Sequence, residues 1–370
     1  MYKVAIDARE LSNNGGIATY ILNLLRHIDE RDMDLSLLVR EEKTILDSKF
    51  NISKLYIPDF IYSNFTWTNF VIPKYLKENK IDLYHSPFFT LPLTKPCKMV
   101  VTIHDVIFNV NSSWFPLKNL LSFKLFTNIA VKMADKIITD SEASKHDLIK
   151  YYSINSNLIK VIPLAASSDF IPLGDRSVID KTLTLFNIKK PFILYIGTLG
   201  NRKNIDRLIL AFERLKLKSK IPHDLVLVGS PGYKGDKVLK MISKSKVSEN
   251  IVHINSVDLH KMVCLYNAAD IFVYPSLYEG FGLPVLEAFS CGTPVATSNT
   301  SSLKEISENA AILFNPEDIN DIALQIEKVL SDKSLADSLI QKGLNRAKEF
   351  SWQKAAIETI QVYKEVLNAA

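Results

Sequence analysis

The sequence predicts an α/β protein built from two doubly wound, Rossmann-like domains facing each other across a cleft. Strand-like and helix-like segments alternate along the whole chain, the pattern of parallel sheets with helices on both faces. The alternation breaks off after Ala165 and restarts at Pro191. A length of 370 residues, 47% of them hydrophobic, exceeds one ordinary core and is ample for two.

The first half reads as strands at Lys3–Ile6, Leu35–Val39, Asp82–Tyr84, Met99–Ile103, Lys136–Thr139 and Ile159–Ile162. The second reads as strands at Phe192–Gly197, Leu225–Val228, Ile251–Ile254, Asp270–Tyr274, Pro294–Ala296 and Ala311–Phe314. Between them, Ser-Ser-Asp, Pro172, Gly174 and Lys-Lys-Pro mark a linker region. The expected organisation is a first domain over 1–168, a linker over 169–190 and a second domain over 191–349. An amphipathic terminal helix covers 350–370, with Ser351 as its N-cap.

No apolar run approaches the eighteen residues that a spanning helix needs. The start, Met1 to Asp7, reads as a first strand rather than a signal peptide. Cys97, Cys264 and Cys291 lie far apart without metal-ligand spacing, which fits a reducing cytoplasm. The net charge of +5 is even between the halves, with 20 basic and 18 acidic residues in 1–170 and 25 and 22 in 171–370. No nucleic-acid partner is expected, because such a footprint clusters on one face. Asp32-Met33-Asp34 has the D-x-D form of a metal motif but sits in a charged connection, so no metal site is expected. The stretch Trp114 to Met133 interleaves Leu and Phe with Lys118, Lys124 and Lys132. It reads as a core-facing helix or as a basic amphipathic helix lying on an anionic membrane.

The candidate chemistry concentrates in the second half. Asp270 to Pro275 leads into Glu279-Gly280-Phe281-Gly282-Leu283-Pro284-Val285-Leu286-Glu287, and a helix is expected from Pro284. Glu279 then lies in a glycine-rich turn and Glu287 one helical turn in. Both face the crevice where open α/β sheets bind ligands. Two carboxylates beside free amides suit a polyhydroxylated, anionic ligand such as a nucleotide sugar. Upstream, Tyr195 to Asn204 places Arg202 and Lys203 between a strand and a helix N-terminus. Helix N-termini favour anions. A guanidinium and an ammonium there make a diphosphate clamp, each charge-assisted hydrogen bond worth about 1.5–3 kcal/mol. No G-x-G-x-x-G follows the strand, which disfavours a nicotinamide oxidoreductase.

The first half offers weaker candidates. Gly15 and Gly16 follow the first strand, where paired glycines permit positive φ and close backbone approach to a ligand. His104 ends the strand Val101-Thr102-Ile103, and His85 ends another. A histidine there is either a structural hydrogen-bonder or a site residue. Ser141-Glu142 ends a third strand or caps the helix that follows.

Two glutamates separated by seven residues, within Asn267-Ala268-Ala269-Asp270 through Thr293-Pro294-Val295, resemble the retaining, glycosyltransferase family 4-like enzymes of the GT-B fold. The resemblance implies that Glu287 accepts hydrogen bonds from the donor ribose. It places Glu279 by the transferred sugar, with the amides of Phe281, Gly282 and Leu283 close to it. Arg202 and Lys203 would neutralise the leaving diphosphate, and Gly15, Gly16 and His104 would sit near donor and acceptor. The first domain would be the acceptor side, with the last helix crossing back onto it. Donor diphosphate is held without a metal in this family, and no cofactor is implied beyond a GDP- or UDP-linked sugar. Asp7-Ala8-Arg9, Ile103-His104-Asp105-Val106 and Gly197 to Asn204 look closest to bacterial mannosyltransferases using GDP-mannose. The implied acceptor is a glycan or lipid-linked oligosaccharide of O-antigen or lipopolysaccharide assembly, with peripheral membrane contact. A nucleotide-sugar epimerase of similar fold and a non-catalytic sugar-binding scaffold are the alternatives. The chain departs from the family at Pro163-Leu164-Ala165-Ala166, where many members carry Pro-Asn-Gly, and at Asn255-Ser256-Val257-Asp258, which lacks the usual glycine.

Overall fold

The computed structural model describes residues 1–12, 15–28, 33–40, 51–55 and 63–369. They form two compact units, Met1–Leu164 with Ser351–Ala370, and Ala165–Phe350. Each is a parallel α/β unit of its own.

The first unit holds seven strands: β1 (Tyr2–Asp7), β2 (Met33–Val39), β3 (Asn51–Lys54), β4 (Leu83–Ser86), β5 (Lys98–Thr102), β6 (Lys136–Thr139) and β7 (Ile159–Val161). Their order is β3-β2-β1-β4-β5-β6-β7, all parallel. The strand order reverses direction between β1 and β4, so their carboxyl ends flank the crevice where such sheets hold ligands. Continuous apolar runs such as Met99, Val100 and Val101 are buried, as expected of strands covered on both faces. Strand β3 was not legible, being four residues of which only Ile52 is apolar. Of the D-x-D motif, Asp32 lies outside the described residues, while Met33 and Asp34 open β2.

The helix Trp352–Asn368 is part of this first unit, and a buried network holds it there. His85, at the end of β4, shares hydrogen bonds with the Tyr363 hydroxyl at 2.6 Å and the Thr102 hydroxyl at 2.8 Å. Thr102 in turn meets the Tyr20 hydroxyl at 3.2 Å. Burial, with the charge of His104 adding to it, pushes the His85 imidazole down to about 3, so it is neutral. His85 is therefore a structural tie. Tyr363→Phe leaves one buried ring nitrogen without its partner. It is expected to cost about 1–3 kcal/mol in urea unfolding, with no effect on nucleotide binding.

The helix Leu117–Met133 buries Leu120, Thr127, Ala130 and Val131. Its opposite face leaves Leu117 71% exposed, Leu121 66% and Leu125 57%, spaced one helical turn apart. One face of this segment is thus core-facing, and the other is exposed. Among the described residues no helix is long and apolar enough to cross a membrane.

The second unit holds β8 (Phe192–Ile196), β9 (Asp224–Val228), β10 (Ile251–Ile254), β11 (Ile271–Tyr274), β12 (Val295–Ser298) and β13 (Ile312–Phe314). The order β10-β9-β8-β11-β12-β13 places the reversal between β8 and β11. The stretch 169–190, read as a linker, is integral to this unit. It contains the helix Arg176–Leu185, capped by the Asp175 side chain and burying Ile179, Thr182 and Leu183. The Leu173 amide donates to Asn267 Oδ1 at 2.7 Å, fastening the stretch to the helix Leu259–Ala268. Apolar residues four apart are a helical signal, masked here by Pro172, Gly174 and Lys-Lys-Pro.

Candidate active site

The chemistry-bearing side chains of the second unit meet at its switch point. The loop after β8 carries Arg202 and Lys203 on a single 3-10 turn, Asn201–Lys203. Asn204 follows in the left-handed region at φ 60°, and the helix Ile205–Arg214 begins behind it. The two cations thus precede the helix by a turn rather than sitting on its first amides. The Asn204 side chain fixes this turn, donating through Nδ2 to the carbonyls of Pro275 at 3.0 Å and Pro316 at 2.7 Å. The loop after β11 carries Glu279. Because β8 pairs with β11, the two loops are neighbours.

Glu279 Oε1 is the hub. It takes Arg202 Nη1 at 2.8 Å, Lys203 Nζ at 2.7 Å and the Ser276 hydroxyl at 2.5 Å. Lys203 also donates to the Tyr274 hydroxyl at 2.5 Å and lies 4.9 Å from that ring's centre, a cation–π distance. Arg202 Nη1 reaches the Tyr278 carbonyl at 2.6 Å. Burial alone would raise the Glu279 carboxyl. The charges of Arg202 and Lys203, with hydrogen bonds from Lys203 and Ser276, outweigh it and hold the group at about 2. Two cations and one carboxylate leave the cluster with a net positive charge, a fixed anion-binding field.

The helix Leu283–Ser290 begins one residue before the proline expected to open it. Its cap, Gly282, has φ 118°, and a Cβ there would lie 2.8 Å from Leu303 Cδ2. No hydrogen bond from the amides of Phe281, Gly282 or Leu283 is found among the described residues. The Phe281 side chain itself is buried, edge-on to Phe350. The Ser302 hydroxyl anchors the turn by donating to the carbonyls of Glu279 at 2.9 Å and Phe281 at 2.6 Å.

Glu287 lies one turn into this helix and is half-buried. Burial raises its carboxyl to about 7, only partly offset by a hydrogen bond from the Tyr266 hydroxyl at 2.9 Å. No ion pair to it is found among the described residues. The two glutamates thus have opposite environments, one clamped as an anion by two cations and one raised by burial. Perturbed titratable groups at a switch point are a site signature. Gly229, after β9, completes the floor. A Cβ on it would lie 1.9 Å from the Gly197 carbonyl oxygen, so only glycine fits where these loops cross.

The first unit places His104 and Asp140 at the carboxyl ends of neighbouring strands. Thr102 of β5 is in register with Ile138 of β6, and two residues further on His104 Nδ1 meets Asp140 Oδ2 at 2.7 Å. Burial would lower the imidazole's pKa. Asp140, with Asp105 and the Pro87 carbonyl, outweighs it and holds the group above its ordinary value. The His104 carbonyl accepts from the Ser144 hydroxyl at 2.9 Å, and the imidazole packs edge-on against Tyr20. Asp7 and Arg9, after β1, form a buried ion pair at 3.0 Å that Trp67, Tyr84, Thr68 and Thr90 surround with hydrogen bonds. Ser141 caps the helix Glu142–Tyr152, and Glu142 is exposed.

Gly15 and Gly16 do not use a glycine-only conformation. Gly15 is extended at φ −127°, neither residue has positive φ, and a Cβ on either meets nothing within 4 Å. The space is open, but the backbone does not demand glycine. The preceding Asn13-Asn14 lies outside the described residues. Sequence reading also passed over Ser276, Tyr266, Ser302 and Asp140. Strand order and register supply the signal for Asp140, and the others become visible only through side-chain packing.

Comparison with known proteins agrees with this geometry. Residues 14–169 match the model of Glycosyltransferase Family 4 and residues 180–346 that of Glycosyl transferases group 1. The O-antigen chain mannosyltransferase B of Escherichia coli is 32% identical over 289 residues, 78% of this chain and 76% of that protein. In three dimensions the chain is similar to the sucrose-phosphate synthase of Thermosynechococcus elongatus, with a TM-score of 0.78, 20% identity and full coverage of both chains. It is also similar to Alr3699/HepE of Anabaena in complex with UDP-glucose, at TM-score 0.77 and 16% identity over 99% of this chain and 100% of that one. The chain is a glycosyltransferase, a member of the glycosyltransferase family 4-like enzymes of the GT-B fold.

Proposed function

We propose that the chain is a retaining, metal-independent mannosyltransferase. It moves mannose from a nucleoside-diphosphate donor, GDP-linked before UDP-linked, to a glycan or lipid-linked acceptor of bacterial surface polysaccharide. The observation that carries this reading is the Glu279–Arg202–Lys203 cluster at the β8/β11 switch point. The mannosyl assignment draws on the mannosyltransferase relative, and the donor class on the neighbour that holds UDP-glucose.

Arg202 and Lys203 take the role that a divalent cation plays elsewhere. As the bond from the sugar's anomeric carbon to the phosphate oxygen breaks, the charge that grows on the leaving diphosphate is stabilised by these two cations and by the amides of Phe281, Gly282 and Leu283. The acceptor hydroxyl bonds to the same face of that carbon, and its proton passes to the departing phosphate. Glu287 accepts from the ribose hydroxyls. His104, held by Asp140, lies by the sugar. The exposed Leu117, Leu121 and Leu125, flanked by Lys118 and Lys124, rest on the membrane that carries the acceptor.

Thermal unfolding of wild type and Glu287→Ala with GDP, UDP, CMP and NADH tests the donor site. A ligand at 100 times its dissociation constant stabilises the native state by about 2.7 kcal/mol. A shift with GDP or UDP that weakens in the variant is the expected result. No shift with either diphosphate over a wide concentration range sinks the assignment. Because burial pushes the Glu287 carboxyl up to about 7, the shift should grow as pH rises from 6 to 8 and the carboxylate form takes over.

A further inference from the structure

The even charge of the two halves conceals a local asymmetry at the end of the second sheet opposite the donor site. The segments that enter β8, β9 and β10 all lie at the strands' amino ends, and these three strands are consecutive along one edge. They are residues 186–191, 213–224 and 243–250, and they carry Lys189, Lys190, Arg214, Lys216, Lys218, Lys220, Lys244 and Lys246. The acidic residues there are Glu213, Asp224 and Glu249. The excess of five positive charges equals the net charge of the entire chain. The segments that enter β11, β12 and β13 hold no basic residue, so the charge is confined to one edge.

These cations are not consumed internally. Lys189, Lys190, Arg214, Lys218, Lys220, Lys244 and Lys246 are exposed, and none has an ion-pair partner among the described residues. Lys216 alone is turned inward, donating to the carbonyls of Ile221 at 3.2 Å and Pro222 at 3.4 Å. Two of the three acids are occupied. Glu213 accepts from the Ser245 hydroxyl and the Lys246 amide, and Asp224 from Asn250. Seven like charges held at one edge repel each other. Among them stand two large apolar side chains, Leu185 at 61% exposure and Leu217 at 53%.

We propose that this edge is a docking surface for anionic phospholipid headgroups. Lysines beside exposed leucines match a surface that offers negative charge at the headgroups and apolar chains just below. A nucleic acid would be better served by exposed aromatic rings among the cations, and these three segments expose none. The surface lies at the opposite end of the sheet from Arg202, Lys203 and Glu279, so it is independent of the donor site. It also shares no residue with the first unit's Leu117–Leu125 face.

The test is co-sedimentation of the full chain with vesicles of phosphatidylcholine alone, or of phosphatidylcholine with phosphatidylglycerol. Two variants accompany it, Lys218→Glu/Lys220→Glu/Lys244→Glu/Lys246→Glu and Leu121→Ser/Leu125→Ser. All four lysines are exposed, so the first variant should fold, and an unchanged far-UV spectrum and melting temperature check it. Wild type is expected to bind the anionic vesicles and to lose that binding between about 50 and 300 mM salt, within which the screening length shrinks sharply. The lysine variant is expected to bind them at least about tenfold more weakly at low salt. The leucine variant should keep the salt-dependent part. Equal binding of wild type and the lysine variant to anionic vesicles overturns the proposal. So does preferential binding of a mixed-sequence oligonucleotide that the vesicles cannot displace. The vesicle result reads out without nucleotide, so a failure of the donor-site assignment leaves it standing, and the reverse holds too.

Discussion

Glu279→Gln is expected to lower sugar transfer by about 100-fold or more and to remove about 3 kcal/mol of stability from the second unit at pH 7. Glutamine keeps the shape and loses the charge, leaving Arg202 and Lys203 aimed at an oxygen that no longer neutralises them. The stability figure follows from linkage. The carboxyl sits at about 2 instead of the ordinary 4.5, and each tenfold difference in proton affinity is worth about 1.4 kcal/mol. A group depressed in the folded state contributes stability that is fully present above its unfolded pKa and lost as pH falls through its folded one. The gap between wild type and variant in urea unfolding should therefore be flat from pH 7 to 5 and narrow by pH 3.5. A gap independent of pH would show that the ion cluster is not what Glu279 contributes. A second readout separates anion binding from folding. With the internal carboxylate gone, a nucleoside diphosphate supplies the missing negative charge, so it should raise the variant's melting temperature more than the wild type's.

The fold was largely legible because parallel strands buried on both faces read as short apolar runs, and twelve of the thirteen strands among the described residues announced themselves that way. What failed had identifiable causes. Asn51–Lys54 is too short and too polar to stand out. The helix Arg176–Leu185 is hidden by the proline, glycine and lysines around it. At the site, sequence named Glu279, Glu287, Arg202 and Lys203 but assigned them to different parts of the ligand. That two of them are ion-paired to a third depends on β8 lying beside β11, about 75 residues away in sequence, which no local pattern encodes. The opposite lesson comes from Gly15 and Gly16. Paired glycines permit positive φ, yet the backbone here is ordinary, because glycine permits unusual φ without requiring it. Charge misled for a third reason. Counting by halves averages over both ends of a sheet, whereas the loops at one end form one surface.

Asp140→Asn is expected to lower kcat by about 100-fold while leaving the donor KM within a few-fold. Asp140 is a positioning residue, touching His104 and not the sugar. Its carboxylate accepts from the imidazole at 2.7 Å and fixes both the ring and the nitrogen that carries the proton. Asparagine can turn its amide toward Nδ1 and impose the other tautomer. A simple packing role predicts lost stability and unchanged pH behaviour. The positioning role predicts a moved pH profile. Asp140 and Asp105 both favour the charged imidazole, against burial, so removing Asp140 lowers the pKa. The alkaline limb of the activity profile should shift toward acid, and the His104 ring resonance should titrate at lower pH by the same amount. Combining His104→Ala with Asp140→Asn separates the roles further. If the two act as one unit, the double variant is no slower than His104→Ala alone. Multiplying losses would instead give Asp140 a role of its own at the sugar.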